Sequence, residues 1–219
     1  MNDSTDRPTA TDEDVTELFS VTPIAALELL CKNVDRLTRS SVEDEPSSLS
    51  AGERDSRTAT TASRQQRQHL DYAYTAGRAG VHPADEAAQQ KMLAKRFVSK
   101  RVPPITIKDY LLRLHRFCPM SCAVYLAVSS YITRIVVEDG TVRLTPKNMH
   151  RLVLAGLRVA VKFLEDWGYA QSRFARVGGV SERELSRLEI GFCFLVDFEL
   201  LVDASKLMRQ VRSTEGTSS

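Results

Sequence analysis

The sequence predicts an all-α fold for this 219-residue chain. Apolar residues recur every three to four positions in several long segments, which is the periodicity of an amphipathic helix. Helix-start signals precede three of these segments, at Thr22-Pro23, at Thr145-Pro146 and at Ser181-Glu182-Arg183-Glu184. No segment shows the sustained alternation of apolar and polar residues that is typical of a strand. With 42% apolar and 26% charged residues, the chain has the composition of a globular protein that buries a core.

The first hundred residues contain two predicted helices separated by a polar segment. Residues 1–22 are predicted to be disordered, and residues 23–38 to form an amphipathic helix that must dock on the main domain or on a partner. Residues 39–83 are predicted to be flexible, because eleven of the 26 residues in 38–63 are Ser or Thr and offer little apolar surface. Residues 84–102 are predicted to form a helix and a lead-in, with acids first and bases last. The apolar stripe of the first helix consists of Leu27, Leu30, Cys31, Val34 and Leu37.

Dense helical periodicity continues from residue 103 to about residue 211. The segment 120–137 is apolar nearly all round, which predicts a buried helix. A start signal at Thr145-Pro146 opens a long helix whose only polar sector holds four charged side chains, and Asp203 is the predicted cap of a last short helix that precedes the tail. The predicted helices span residues 105–117, 120–137, 145–166, 181–196 and 203–211. The polar sector consists of Arg151, Arg158, Lys162 and Glu165.

Composition and motifs exclude several classes of function. The chain has no glycine-rich nucleotide loop, no zinc-protease motif and no serine-hydrolase elbow, so we expect no catalytic residue, no cofactor and no metal. The four cysteines lie far apart except for the pair Cys118 and Cys122, and this spacing fits neither a disulfide framework nor paired zinc ligands, which predicts reduced core thiols. A formal net charge of +2 and the lack of a long apolar run argue against a nucleic-acid or membrane partner. We expect a nuclear or cytoplasmic location.

Two charged residues are difficult to place on their helices. Glu189 projects from the middle of an apolar stripe, where an isolated carboxylate carries a desolvation cost. Lys162 lies at the edge of the polar sector of its own helix. Periodicity alone leaves three interpretations open: an internal ion pair, a position at the helix edge that faces water, or a contact with another molecule.

Several motifs follow one another in a fixed order over residues 103–202. They are Pro104-Ile105-Thr106-Ile107-Lys108-Asp109-Tyr110-Leu111, Tyr131-Ile132-Thr133-Arg134, Asn148-Met149-His150-Arg151-Leu152, Val159-Ala160-Val161-Lys162-Phe163-Leu164-Glu165-Asp166, Phe174-Ala175-Arg176-Val177-Gly178-Gly179-Val180 and Glu184-Leu185 to Leu188-Glu189. This order resembles a cyclin box, and more closely the single-box P/U-type cyclins of the fungal phosphate-response group, which also occur in plants.

The resemblance implies a five-helix cyclin box over residues 103–202, flanked by N-terminal helices and by a C-terminal segment at 203–219. Its third and fifth helices would pack on the N-terminal lobe and C-helix of a cyclin-dependent kinase and activate it. Lys162 and Glu189 match the charged pair by which cyclins reach the kinase backbone, and we place Arg158 and Glu165 in the same interface. The chain would be a non-catalytic subunit in a heterodimer, with kinase substrates or inhibitors as further partners, acting in cell-cycle control or a nutrient response.

Two departures from the family pattern limit what the resemblance implies. Thr133 stands where the family commonly has Asp, which affects the expected internal hydrogen bonds of the second box helix. The first box helix opens with Pro103-Pro104-Ile105 and lacks the substrate-recruiting patch of mitotic cyclins, so we do not expect that route here. The alternative function is a cyclin-fold adaptor or transcription-related protein that acts without a kinase.

Overall fold

The computed structural model describes residues 16–18, 20–43 and 83–215, and every regular element in these ranges is helical. The main helices are α1 (Pro23–Glu43), α2 (Pro83–Lys95), α3 (Ile107–Phe117), α4 (Cys122–Thr133), α5 (Met149–Leu164), α6 (Gln171–Gly178), α7 (Glu182–Leu195) and α8 (Ala204–Glu215). A π-helical turn, Arg134–Glu138, continues α4. The prediction of an all-α fold is therefore confirmed, and α3 to α7 are five helices within residues 103–202.

Helix α4 forms the centre of the fold. Its residues are apolar on all sides and most are fully buried, because α1, α5 and α8 all pack against it. The amide of Asn33 on α1 donates to Ser129 Oγ and to Thr133 Oγ1, both at 2.9 Å. Thr133, the position at which the family pattern has Asp according to the resemblance, thus accepts a hydrogen bond from α1. The amphipathic N-terminal helix docks on the main domain of its own chain.

The N-terminal segment is longer and more ordered than the sequence indicated. Residues 16–18 and 20 are helical, where we predicted disorder to residue 22, because Leu18 and Val21 pack against the core. The side chain of Thr22 accepts from the Ala25 backbone N–H, which caps α1. Helix α1 ends at Glu43 instead of residue 38, and Arg143 donates to the Ser41 carbonyl near its end. The other residues of the predicted disordered start and flexible segment, 1–15, 19 and 44–82, lie outside the described residues.

Helix α5 starts four residues later than Thr145, where we predicted its cap. The Thr145 N–H donates to Asn148 Oδ1 at 2.8 Å, and Asn148 Nδ2 donates to the Arg143 carbonyl at 2.8 Å. These bonds hold the residues around Pro146 in a turn, so that Asn148 becomes the N-cap and Met149 the first helical residue. The helix also ends earlier than predicted, at Leu164.

The predicted caps of the last two helices are present. Ser181 Oγ accepts from the Glu184 N–H, and Asp203 Oδ1 accepts from the Lys206 N–H. The Glu184 carboxylate bonds to Arg151 on α5, so its pairing ties α7 to α5. Helix α8 continues to Glu215, beyond the predicted end at residue 211.

Candidate functional site

The candidate site lies where α5 and α7 pack against each other. Gly156 makes this close approach possible, because a Cβ atom at this position would lie 3.1 Å from Phe192 Cζ on α7 and 3.1 Å from Val128 Cγ1 on α4. The contact places the C-terminal half of α5 beside the middle of α7. Lys162 and Glu189, predicted separately from two helical wheels, are thereby brought together.

Glu189 has three partners within its own chain. Lys162 Nζ forms an ion pair with Oε2, Gln171 Nε2 donates to Oε1 at 3.1 Å, and Arg158 Nε lies 3.4 Å from Oε1. These partners offset the cost of burying a carboxylate. Exposed fractions of the side chains differ sharply: 11% for Glu189 but 48% for Lys162. Lys162 is therefore the accessible member of the pair.

Arg158 points into the protein and lies on the buried side of the Glu189 carboxylate. Its side chain is only 6% exposed, and it donates to the Tyr169 carbonyl at 2.8 Å and to Gln171 Oε1 at 2.9 Å. Its guanidinium also lies over the Phe174 ring, 5.2 Å from the centroid. The contact between Arg158 Nε and Glu189 is electrostatic, because it lacks hydrogen-bond geometry. In this structure Arg158 holds the Glu189 carboxylate in position, and its predicted contact with a kinase stays a prediction.

Glu165 lies apart from the Lys162–Glu189 pair. It is the C-cap residue that follows the last residue of α5, Leu164. Its Oε1 accepts from the Ser121 N–H at 2.8 Å, at the start of α4. The carboxylate there compensates the free N–H groups and the positive end of the α4 dipole. Glu165 therefore links two helices in this structure, and its predicted contact with a kinase stays a prediction.

Exposed apolar side chains lie beside the charged pair, since Phe163 directly follows Lys162 and Ile190 directly follows Glu189. Ile190 and Phe194 lie one turn apart on α7, and the Phe194 and Phe198 rings make an edge-to-face contact with centroids 5.1 Å apart. Phe163, Phe198 and Leu201 line one groove between α5 and the chain after α7. We call this surface the apolar face; it consists of Phe163, Ile190, Phe194, Phe198 and Leu201, each more than 40% exposed.

The loop after α7 holds part of the apolar face in an unusual backbone conformation. Asp197 and Phe198 have φ angles of 48° and 56°, in the left-handed region that is costly for residues other than glycine. Hydrogen bonds from helix α4 and from its π-helical turn hold this loop in place. Arg134 donates to the Val196 carbonyl, and the Tyr131 hydroxyl donates to the Leu200 carbonyl at 2.5 Å.

None of the residues of the apolar face was predicted from the sequence as a site residue. A signal was present, because Ile190 and Phe194 lie four residues apart on the side of α7 that does not carry the buried stripe. Phe198 gave no such signal, since a left-handed conformation is not expected for an aromatic residue.

The cysteines have no feature of a reactive site. All four are free, and burial raises the pKa of the Cys31 thiol to about 11. Burial also raises the pKa of Cys118 and Cys193, so these thiols stay protonated at neutral pH. Among the described residues no group of three or more His, Cys, Asp or Glu is arranged to hold a metal ion. No helix in the same ranges is both long enough and apolar enough to cross a membrane.

A helical domain that exposes aromatic residues beside a charged pair has the features of a protein-docking module. The model of the cyclin family matches residues 24–200, and the chain belongs to this family. The match begins within α1, whereas the sequence analysis placed the box at 103–202; that boundary stays a prediction.

Similar proteins occur in fungi and plants. The chain is 35% identical over 124 residues to PHO85 cyclin-7 of Saccharomyces cerevisiae (52% of this chain, 44% of the relative). It is 40% identical over 112 residues to PHO85 cyclin-like protein psl1 of Schizosaccharomyces pombe (51% and 46%). It is 36% identical over 109 residues to Cyclin-U2-1 of Arabidopsis thaliana (50% and 49%). The chain thus spans about half the length of these relatives, and the resemblance to P/U-type cyclins is confirmed.

Proposed function

We propose that the chain is the non-catalytic regulatory subunit of a cyclin-dependent kinase, in the nucleus or the cytoplasm. The observation that carries the proposal is the Lys162–Glu189 pair at the surface between α5 and α7, beside the apolar face. The relatives support a kinase partner, because two of them carry the name of a PHO85 cyclin.

The geometry suits a contact with a kinase backbone. The Lys162 ammonium is half-exposed and can turn outward to donate to carbonyl oxygens of the partner. Glu189 then has a free acceptor atom, while Arg158 and Gln171 continue to hold its carboxylate in place. Hydrogen bonds to charged groups are roughly twice as strong as neutral ones. The Lys162–Glu189 pair therefore orients the chain on the kinase through directional hydrogen bonds.

The apolar face supplies most of the area that the partner covers. Aromatic side chains dominate the energetics of many interfaces, because they bury a large area with few rotatable bonds. Phe194 and Phe198 support each other through their ring contact, so their positions require little ordering on binding. The held loop after α7 keeps Phe198 next to this surface.

Activation follows from selective binding. A kinase exchanges between active and inactive arrangements of its N-terminal lobe, and a subunit that binds the active one more tightly shifts the population towards it. The kinase supplies the residues for phosphoryl transfer. The cyclin chain needs only a rigid surface, which α5 and α7 provide because their contact lies over the buried α4.

The test is capture followed by reconstitution. The tagged full chain is expressed in its own cells, the bound kinase is identified by mass spectrometry, and the purified kinase is assayed on histone H1 with and without the chain. We expect the chain to raise kinase activity, and the variant Phe194→Ala to lose most of this effect. Met92→Ala is the matched control, because Met92 is exposed on α2, outside the apolar face.

Two outcomes contradict the proposal. One is a captured kinase whose activity does not depend on the chain. The other is the repeated capture of proteins other than kinases, which supports the adaptor function. If Phe194→Ala and Met92→Ala behave alike, kinase regulation stands but the docking surface lies elsewhere.

A further inference from the structure

A groove lined by three arginines lies at the start of α7. Its volume is about 630 Å³, and it is lined by Arg96, Ser181, Arg183, Glu184, Arg187 and Leu188. We call it the arginine groove. None of its lining residues belongs to the apolar face.

Packing fixes the position of the arginines from two sides of the groove. Arg183 and Arg187 lie four residues apart on α7 and therefore share a face of the helix. Arg96 follows the end of α2, and its neighbour Phe97 is fully buried against α7, where a Cβ on Gly191 would lie 3.4 Å from Phe97 Cζ. A deeply anchored residue thus holds the Arg96 backbone beside α7.

The arrangement of charge is unfavourable in the absence of an anion. Like charges at this helical spacing repel, and cations in the first turns oppose the positive end of the helix dipole. Arg183 lies in the first turn next to the N-cap Ser181, and Arg187 lies one turn further on, so the repulsion between them adds to a dipole cost that Glu182 offsets only in part. The Glu184 carboxylate does not neutralise them, since it is paired with Arg151.

The guanidinium groups of the groove are available for a ligand. Within residues 16–18, 20–43 and 83–215, the structure records no ion pair and no side-chain hydrogen bond of Arg96, Arg183 or Arg187. Ser181 brings the first N–H groups of α7 to the same groove. Planar guanidinium groups and helix N-termini are both suited to phosphate oxygens, and three positive charges suit a dianion better than a single carboxylate.

We propose that the arginine groove binds a phosphorylated serine or threonine within a peptide segment. The volume exceeds what one phosphate group needs, which leaves room for the peptide backbone on either side. A nucleic acid is a poorer fit, because the three arginines form one compact cluster and the whole chain is nearly neutral, with a net charge of +2. The site does not depend on a kinase being bound.

The experiment measures binding to the isolated full chain, without a kinase. The probe is a capped alanine–glycine heptapeptide with one central phosphoserine, titrated while the amide and arginine Nε–H resonances are followed by NMR. We expect saturable shifts centred on the start of α7 and on Arg96. The peptides without phosphate, and with glutamate in place of phosphoserine, should bind at least about tenfold more weakly.

Charge-matched variants separate a site from general attraction. The triple variant Arg96→Gln, Arg183→Gln, Arg187→Gln should lose binding at least about tenfold. The control Arg101→Gln, Arg113→Gln, Arg176→Gln removes the same charge from exposed arginines outside the groove and should bind like the original chain. Melting curves of both variants verify folding.

Four outcomes overturn the proposal. They are equal loss in the two variants, shifts that map elsewhere, binding of the glutamate peptide as tight as that of the phosphopeptide, and binding of inorganic phosphate as tight as that of the peptide. The last outcome identifies a site for free anions. Because no kinase is present, none of these results bears on kinase regulation.

Discussion

Removing Lys162 and removing Glu189 should affect folding unequally, although the two residues form one ion pair. Lys162→Ala removes a half-exposed charge and leaves Glu189 with Arg158 and Gln171. Exposed ion pairs contribute about 0.2–1 kcal/mol, so we expect the free energy of unfolding to fall by no more than about 1 kcal/mol.

Glu189→Ala takes away the anion that faces a buried guanidinium. Breaking a buried pair costs about 3–5 kcal/mol. Arg158 keeps the Tyr169 carbonyl and the Gln171 side chain as acceptors, so we expect a loss of about 3 kcal/mol, near the lower limit. The structure predicts the ratio of the two reductions in the free energy of unfolding more closely than it predicts either reduction alone.

Lys162→Ala, which should have little effect on folding, should have a large effect on kinase association. Lys162→Ala should weaken it by about 2–5 kcal/mol, the range for removing one member of a hydrogen-bonded charge contact at an interface. Urea unfolding followed by circular dichroism gives the stabilities, and titration with the purified kinase gives the affinities. Lys108→Ala is the control, because Lys108 is exposed on α3.

Two results would refute this reasoning. If Lys162→Ala destabilises the fold as much as Glu189→Ala does, the lysine is part of the core and its exposure does not matter. If Lys162→Ala binds the kinase at full strength, the pair is structural and has no place in the docking surface.

Three further predictions concern stability. Gly178→Ala should cost about 1–3 kcal/mol, because its Cβ would lie 2.6 Å from Leu154 Cδ1, whereas Gly168→Ala has open space and should cost less; equal melting temperatures would contradict this. Burial lowers the pKa of His150 in the folded state below its ordinary value of about 6.5. The unfolded state therefore binds more protons below pH 6.5, and the free energy of unfolding should fall as the pH falls from there. His150→Asn should flatten this dependence of stability on pH in urea titrations. Asp203→Ala should lose the α8 cap and about 0.5–2 kcal/mol in thermal melts, while Asp203→Asn should keep most of it.

The sequence predicted the class of fold and most helices because apolar periodicity and caps are local signals. Thr22, Ser181 and Asp203 act as caps as expected, since each capping bond spans only three residues. Thr145 failed as a cap because Asn148, three residues later, competes for the same turn. The end of α1 was missed because Ser40 and Ser41 favour loops, while the contact with Arg143 comes from a distant part of the chain.

The candidate site was predicted only in part. A helical wheel places Glu189 and Arg158 on their faces but does not give the direction of a long side chain, and Arg158 turns inward to Tyr169 and Gln171. The arginine groove was beyond sequence reasoning, because Arg96 reaches it through the packing of Phe97 on a helix some ninety positions away.

The bonds from α4 to the loop after α7 suggest how alleles of this chain would behave in genetic screens. Tyr131→Phe keeps the buried ring but removes the hydroxyl that holds the Leu200 carbonyl, so the fold would persist while Phe198 loses part of its support. Such an allele would appear as a partial loss of function far from the contact surface. Raising the dosage of the partner gene should suppress it, because a partner that binds only the folded chain favours the bound, folded state by mass action.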